Sequence, residues 1–264
     1  MTTALQNRHP DLVRQFSEQG FFLRPGAFAA DRVRALKAAL QRAVVAEAPL
    51  RRPADDPAQV VCCPWHDDLF LQVLSEGGVF ADVDRLLGPD CILYNYNNSC
   101  MPPGAGNFSS HIHVERGYST GNWLEGVGVL VLLDDFTIDN GASWFLPGSW
   151  LREQAPAETE FLAGAERLLA PAGSLFYFHP HLWHSGGINR TTQSREALSI
   201  GFCRPHLKQR IDYPALFAAR RQDFPADVVQ KLGFLAQPPR SVDAFYRRGG
   251  GWRSEESPVG GSSG

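Results

Sequence analysis

The chain has no apolar stretch approaching the roughly 20 residues needed to cross a bilayer, so no membrane-spanning helix is expected. It has no surplus of charge either. With 25 Lys and Arg against 28 Asp and Glu, the net charge is −3. That balance argues against a broad polyanion-binding face, and so against nucleic acid as a partner. Cysteine is sparse and poorly placed for cross-linking: there are five, with no Cys-x-x-Cys, and Cys62 and Cys63 are adjacent. Reduced thiols in a cytoplasmic protein are the expectation. Residues Met1 to Gln6 lack a basic region followed by an apolar run, so no secretory signal is expected. No internal repeat is visible.

What is present suits a globular protein. The 264 residues, 44% of them hydrophobic, can bury a substantial core. The 19 Pro and 25 Gly sit largely in connecting stretches, which favours short strands and loops over a helical bundle. Helical periodicity marks His9 to Gln19 with Gly20 as its stop, and a second helix to about Val45 with Asp31 as its cap. Residues 46–65 are rich in proline and charge and are expected to form a loop. Asp67 to Leu87 is helical again, interrupted at Gly77-Gly78. Strands then dominate: Phe21 to Gly26 early on, then Cys91 to Asn97, Val127 to Leu133, Ser143 to Leu146, Ser174 to Phe178 and Leu198 to Cys203. Helix-like pieces return at Tyr213 to Arg221 and Ala226 to Leu232. The expected domain covers 1–248, with a helical part to about 90, a strand-rich core over about 91–205 and a helical C-terminal extension. Residues 249–264 have little to bury and are expected to be a disordered tail.

One stretch concentrates chemistry. In Ser110-His111-Ile112-His113-Val114-Glu115, two imidazoles and a carboxylate occupy alternate positions. If extended, the segment turns His111, His113 and Glu115 to one face. Neutral imidazoles and a carboxylate suit a divalent first-row metal, and two His with one acid make the facial set that leaves positions open on non-haem iron. A distant third ligand is available at His179, His181 or His184, among which spacing alone does not choose. Trp65-His66-Asp67-Asp68 contains a second His-x-Asp, but it lies at a helix start, where Asp67 and Asp68 suit the helix dipole.

Larger motifs narrow these choices. From about residue 15 to 205 the chain resembles the phytanoyl-CoA dioxygenase family of Fe(II)/2-oxoglutarate oxygenases. The likeness runs through Gly20-Phe21-Phe22 and Leu86-Leu87-Gly88-Pro89-Asp90 to His113-Val114-Glu115, with Tyr118 after it. It continues through Leu132 to Thr137, Asn140-Gly141, Pro147-Gly148-Ser149, Gly173 to Phe176 and Trp183 to Gly187. The resemblance implies a mainly β protein with flanking helices around a double-stranded β-helix (jelly-roll, cupin-like) core. It implies His113, Glu115 and His184 as iron ligands, with His111, His179 and His181 outside the ligand set. Arg195 falls where the family places the arginine that binds 2-oxoglutarate, and Asn97 and Asn98 are further candidate contacts to it. Two positions depart from the pattern: Glu115 replaces the commoner Asp, and Trp150 stands where a His usually follows Pro-Gly-Ser.

The implied cofactors are Fe(II), 2-oxoglutarate as co-substrate and O2. The implied reaction is hydroxylation of a small molecule of specialised or amino-acid metabolism, with release of succinate and CO2. A carboxylate at Glu115 argues against halogenation and leaves desaturation or cyclisation as alternatives. A non-catalytic or cupin-type metal protein that does not turn over 2-oxoglutarate is the rival from another class. Candidate substrate contacts are His111, Arg116, Tyr96, Trp123 and Trp144, each of which could equally be packing.

Overall fold

In the N-terminal third some helices carry a side-chain cap at their start and others do not. The computed structural model describes residues 3–52, 56, 58–115, 121 and 123–247. Arg116, Tyr118 and the expected tail therefore lie outside the described residues. Helix α1 (Leu12–Gln19) is capped by Asp11, whose side chain accepts from Val13 N, and ends at Gly20. Strand β1 (Phe21–Arg24) follows, then α2 (Ala30–Glu47). Asp31 lies in the first turn of α2 and not at its cap: Ala29 holds that position without a side-chain bond. A short α3 (Cys63–His66) precedes α4 (Asp68–Ser75), and the glycine pair separates α4 from α5 (Val79–Leu87).

The stretch expected to be a loop is partly tied down. Val60 and Cys62 are buried. Glu47 at the end of α2 accepts from Val61 N at 2.9 Å and meets His66 Nε2 at 2.8 Å. The second His-x-Asp is thus structural: Asp68, in the first turn of α4, pairs with Arg220 through both oxygens, and Asp67 between them caps α4 through Leu69 N.

Strands β2 (Ile92–Met101), β3 (Gly126–Leu132), β6 (Leu175–Phe178) and β8 (Arg195–Cys203) join β1 in a five-stranded sheet of order β1-β6-β3-β8-β2, antiparallel throughout. Strands β4 (Trp144–Phe145), β5 (Glu166–Arg167) and β7 (His184–Ser185) form a second sheet of order β5-β4-β7. Between β4 and β5 lies α6 (Glu158–Gly164), and the chain closes with α7 (Tyr213–Leu216), α8 (Ala226–Lys231) and α9 (Val242–Arg247). The fold is thus mostly antiparallel sheet with flanking helices.

Alternation gives the large sheet two faces. Val127, Val129 and Val131, with Leu198, Ile200 and Phe202, pack into the larger core with α2, α4 and α5. Leu130, Leu132, Phe176, Phe178 and Ala197 point the other way and meet Phe145 and Phe136 in a second core. The candidate residues gather around that second core.

Candidate metal centre

The segment carrying the His-x-Glu pair is not a regular strand. A single antiparallel bridge joins His113 to His184, with both N–H···O bonds at 2.9 Å. Glu115 N donates to Pro180 O at 2.8 Å. These bonds bring two distant parts of the sequence together, and partners in such a bridge present their side chains to the same face. Three ligand atoms, one each from His113, Glu115 and His184, lie within 4.8 Å of one another. His184 Nε2 stands 3.4 Å from Glu115 Oε1.

Backbone carbonyls fix both imidazoles. His113 Nδ1 bonds His111 O and His184 Nδ1 bonds Leu182 O, each at 2.8 Å. Since a carbonyl only accepts, each Nδ1 carries a proton, which leaves Nε2 as the ring atom turned toward a metal. Phe145 stacks on the His184 ring at 5.2 Å and Phe178 meets it edge-on at 5.6 Å, which holds its plane. Burial, then the neighbouring His184, holds His113 below the usual imidazole range, favouring the neutral form a metal needs. Burial pushes the Glu115 carboxyl up, but the imidazole of His184, with His113 and Arg210 behind it, outweighs this and leaves it below the usual carboxylate range. Two imidazoles and one carboxylate gathered on one face are a donor set that fits a divalent iron.

Arg195 faces the same core from the large sheet. It is 2% exposed, its guanidinium lies 3.9 Å over the Phe136 ring, and Nη1 donates to Gly141 O at 2.8 Å. Its Nε has no hydrogen-bond partner. Burial lowers its pKa to about 10, so it stays charged near neutral pH. Among the described residues no carboxylate forms an ion pair with it, and a buried cation with an unused donor fits an incoming carboxylate. The Asn140-Gly141 turn builds this seat. Asn140 Nδ2 donates to Asp135 O at 2.6 Å, and Gly141 takes φ +78°, where a Cβ would stand 2.9 Å from Asn189 N.

Other expected contacts fall elsewhere. Asn98 faces the helices: its Oδ1 accepts from Val60 N at 2.8 Å and its Nδ2 donates to Ala58 O at 2.9 Å. The inward-facing neighbour is Asn97, opposite Ser199. Tyr96 is likewise corrected, being fully buried against Phe70 in the helix-side core. Trp144 pairs with Ser185 while Phe145 pairs with His184, so Trp144 lies on the outer face of the small sheet, away from the ligand cluster. His111 is exposed, 4.8 Å from the His113 ring, and supplies the carbonyl that orients it. Trp123 is 54% exposed, with Arg204 4.4 Å over its ring. Trp150 stacks on His179 at 4.8 Å, so the change from the family's His is absorbed in packing.

Register also shows residues that pattern reading passed over. Asn95, Asn97 and Ser99 lie opposite Gly201, Ser199 and Ala197, on the face of Leu130 and Phe178. Asn95, Asn97, Ser99, Ser199 and Gly201 are half-buried on this face. Gly128 and Gly201 admit close neighbours there: a Cβ would meet the Phe178 ring at 2.4 Å or Asn95 Oδ1 at 2.2 Å. The period-2 run Asn95, Asn97, Ser99 was the available signal.

Comparison with known proteins agrees with this geometry. Residues 16–197 match the phytanoyl-CoA dioxygenase (PhyH) family. The chain belongs to that family. A Mycobacterium tuberculosis protein, Rv1501, is 31% identical over 190 residues, 69% of each chain. The solved non-heme monooxygenase ThoJ in its apo form superposes with a TM-score of 0.63 at 22% identity, covering 76% of this chain and 80% of ThoJ. The non-heme alpha-ketoglutarate-dependent carbocyclase SnoK from nogalamycin biosynthesis gives 0.60 at 20% identity, covering 78% and 87%. As a PhyH member the protein is an oxygenase whose cofactors are Fe(II) and 2-oxoglutarate, with O2.

Proposed function

We propose that this chain is a non-haem Fe(II)/2-oxoglutarate-dependent dioxygenase that hydroxylates a small molecule, releasing succinate and CO2. His113, Glu115 and His184 are the proposed iron ligands and Arg195 the residue that pairs with the far carboxylate of 2-oxoglutarate. The two sheets are read as the halves of a double-stranded β-helix, with residues 1–248 forming one oxygenase domain. A cytoplasmic setting suits the five cysteines, all free and buried. The observation that carries the reading is the pairing of a facial His-Glu-His cluster with a buried, anion-hungry arginine on the same core.

Bound iron with 2-oxoglutarate supplies oxygen activation at the expense of the oxo acid. The chain's own residues do the positioning. His111 O and Leu182 O hold the Nδ1 protons so that both Nε2 atoms stay available. Phe145 and Phe178 wall off the His184 side from water. The half-buried face of Asn95, Asn97 and Ser199 is the proposed substrate-facing surface, and its amides and hydroxyl suit a substrate with hydrogen-bonding groups. A panel of small molecules assayed for 2-oxoglutarate-dependent succinate release tests the reading. Substrate-stimulated release is expected, abolished in His184→Ala; the same stimulated release from His184→Ala would refute it.

A further inference from the structure

The outer face of the small sheet carries a second cavity that the iron chemistry does not use. Trp144 and Ser185 turn away from Phe145 and His184. Over them, between the sheet, α6 and the segment before His113, lies a space of about 460 Å³ whose lining includes Ile112, Phe161, Leu162 and Ile188. Leu162 and Ile188 are 57% and 46% exposed at its edge.

Two arginines line the same space. Arg167 is 8% exposed; its guanidinium lies 4.2 Å over the Trp144 ring, Nη1 donates to Ile138 O at 2.6 Å, and Nε is buried without a partner. Arg190 is exposed and held by its backbone N–H to Asp139 O at 2.7 Å, and among the described residues no carboxylate forms an ion pair with it. Burial and then the positive charge of Arg190 lower the pKa of Arg167, with Asp139 a partial offset. Glu158 is the one carboxylate in the lining. Two guanidiniums held together, one buried with an unused donor, favour an anion, while the aliphatic and aromatic walls favour an apolar body.

We propose that this outer cavity is a second binding site for a small carboxylate with an apolar body. The carboxylate pairs with Arg190 and the free edge of Arg167, and the body lies along Ile112, Phe161 and Leu162. The site lies on the other face of the small sheet from the ligand cluster, since the paired strands present His184 and Ser185 to opposite faces; it comes nearest to the cluster at His111, whose ring is 4.8 Å from that of His113.

Titration calorimetry of the full chain with octanoate tests this, with octanol and inorganic phosphate as probes lacking one half of the chemistry. Repeating it with saturating Fe(II) and 2-oxoglutarate under argon separates the outer site from the iron site. Octanoate is expected to bind equally well in both conditions and better than either control. Arg190→Ser and Leu162→Asp, at exposed positions that leave the melting temperature unchanged, are each expected to weaken it about tenfold. No octanoate binding, competition by 2-oxoglutarate, equal binding of phosphate or octanol, or unchanged affinity in both variants would overturn the proposal.

Discussion

At the scale of single residues, Arg195 is the clearest case of a side chain whose surroundings state its purpose. It is charged, closed off from water, and its guanidinium donates to Gly141 O while lying over the Phe136 ring. Arg195→Gln is expected to weaken 2-oxoglutarate binding by about 100-fold, as read by calorimetry, while Mn(II) binding to the histidine cluster stays within a few-fold. The cysteines make a second prediction. Burial raises Cys62 and Cys91 to about 11 and Cys100 to about 12, from an ordinary 9.0. A thiol with a raised folded pKa keeps its native proton while the unfolded chain loses one above about 8.5. Stability is therefore full below that pH and declines as pH climbs through 9 toward 11, measurable by urea denaturation across that range. At pH 8 the native thiols are expected to react slowly with Ellman's reagent and fast in denaturant. The motifs singled out His113, Glu115 and His184, which the fold brings together, and Arg195, which it buries facing the same core. Asn98 misled, because a bulge between Leu93 and Asn95 sets the register of β2, and a one-residue offset swaps the faces of a strand.

Among elements, α8 depends on one buried cation. Lys231 is 2% exposed; its Nζ pairs with Asp84 on α5, donates to Pro89 O at 2.9 Å, and lies 3.2 Å from Cys91 Sγ. Lys231→Ala would strand those partners; since Asp84 is a third exposed, the cost is expected at about 2 kcal/mol, below the full penalty for a broken buried pair. Thermal denaturation measures it, and an unchanged melting temperature would contradict the clasp. In β3, Gly128→Val has no space beside Phe178 and is expected to cost roughly 1–3 kcal/mol. Elements with capping residues or long apolar alternation were readable, as α1 and the valine run of β3 show. Strands β5 and β7 were not, since two residues cannot display a period. Helix α6 was missed for a related reason: its seven residues bury only Phe161, so no stripe marks it.

For the molecule as a whole, the two sheets matter because they bring residues 113–115, 184 and 195 to one core from three separate places in the chain. The expectation of a mainly β protein with flanking helices held, as did the family. The opposed faces of the small sheet did not show in the sequence, and they decide that Trp144 belongs to the outer cavity. No helix among the described residues is long and apolar enough to cross a membrane. The central claim is that His113, Glu115 and His184 hold iron while Arg195 holds its co-substrate. Anaerobic titration with Fe(II) and 2-oxoglutarate tests it most directly, through the visible metal-to-ligand charge-transfer band. A band is expected in the native chain, lost in Glu115→Ala and reached only at far higher 2-oxoglutarate in Arg195→Gln. No band in the native chain, or an undiminished one in both variants, would contradict the account.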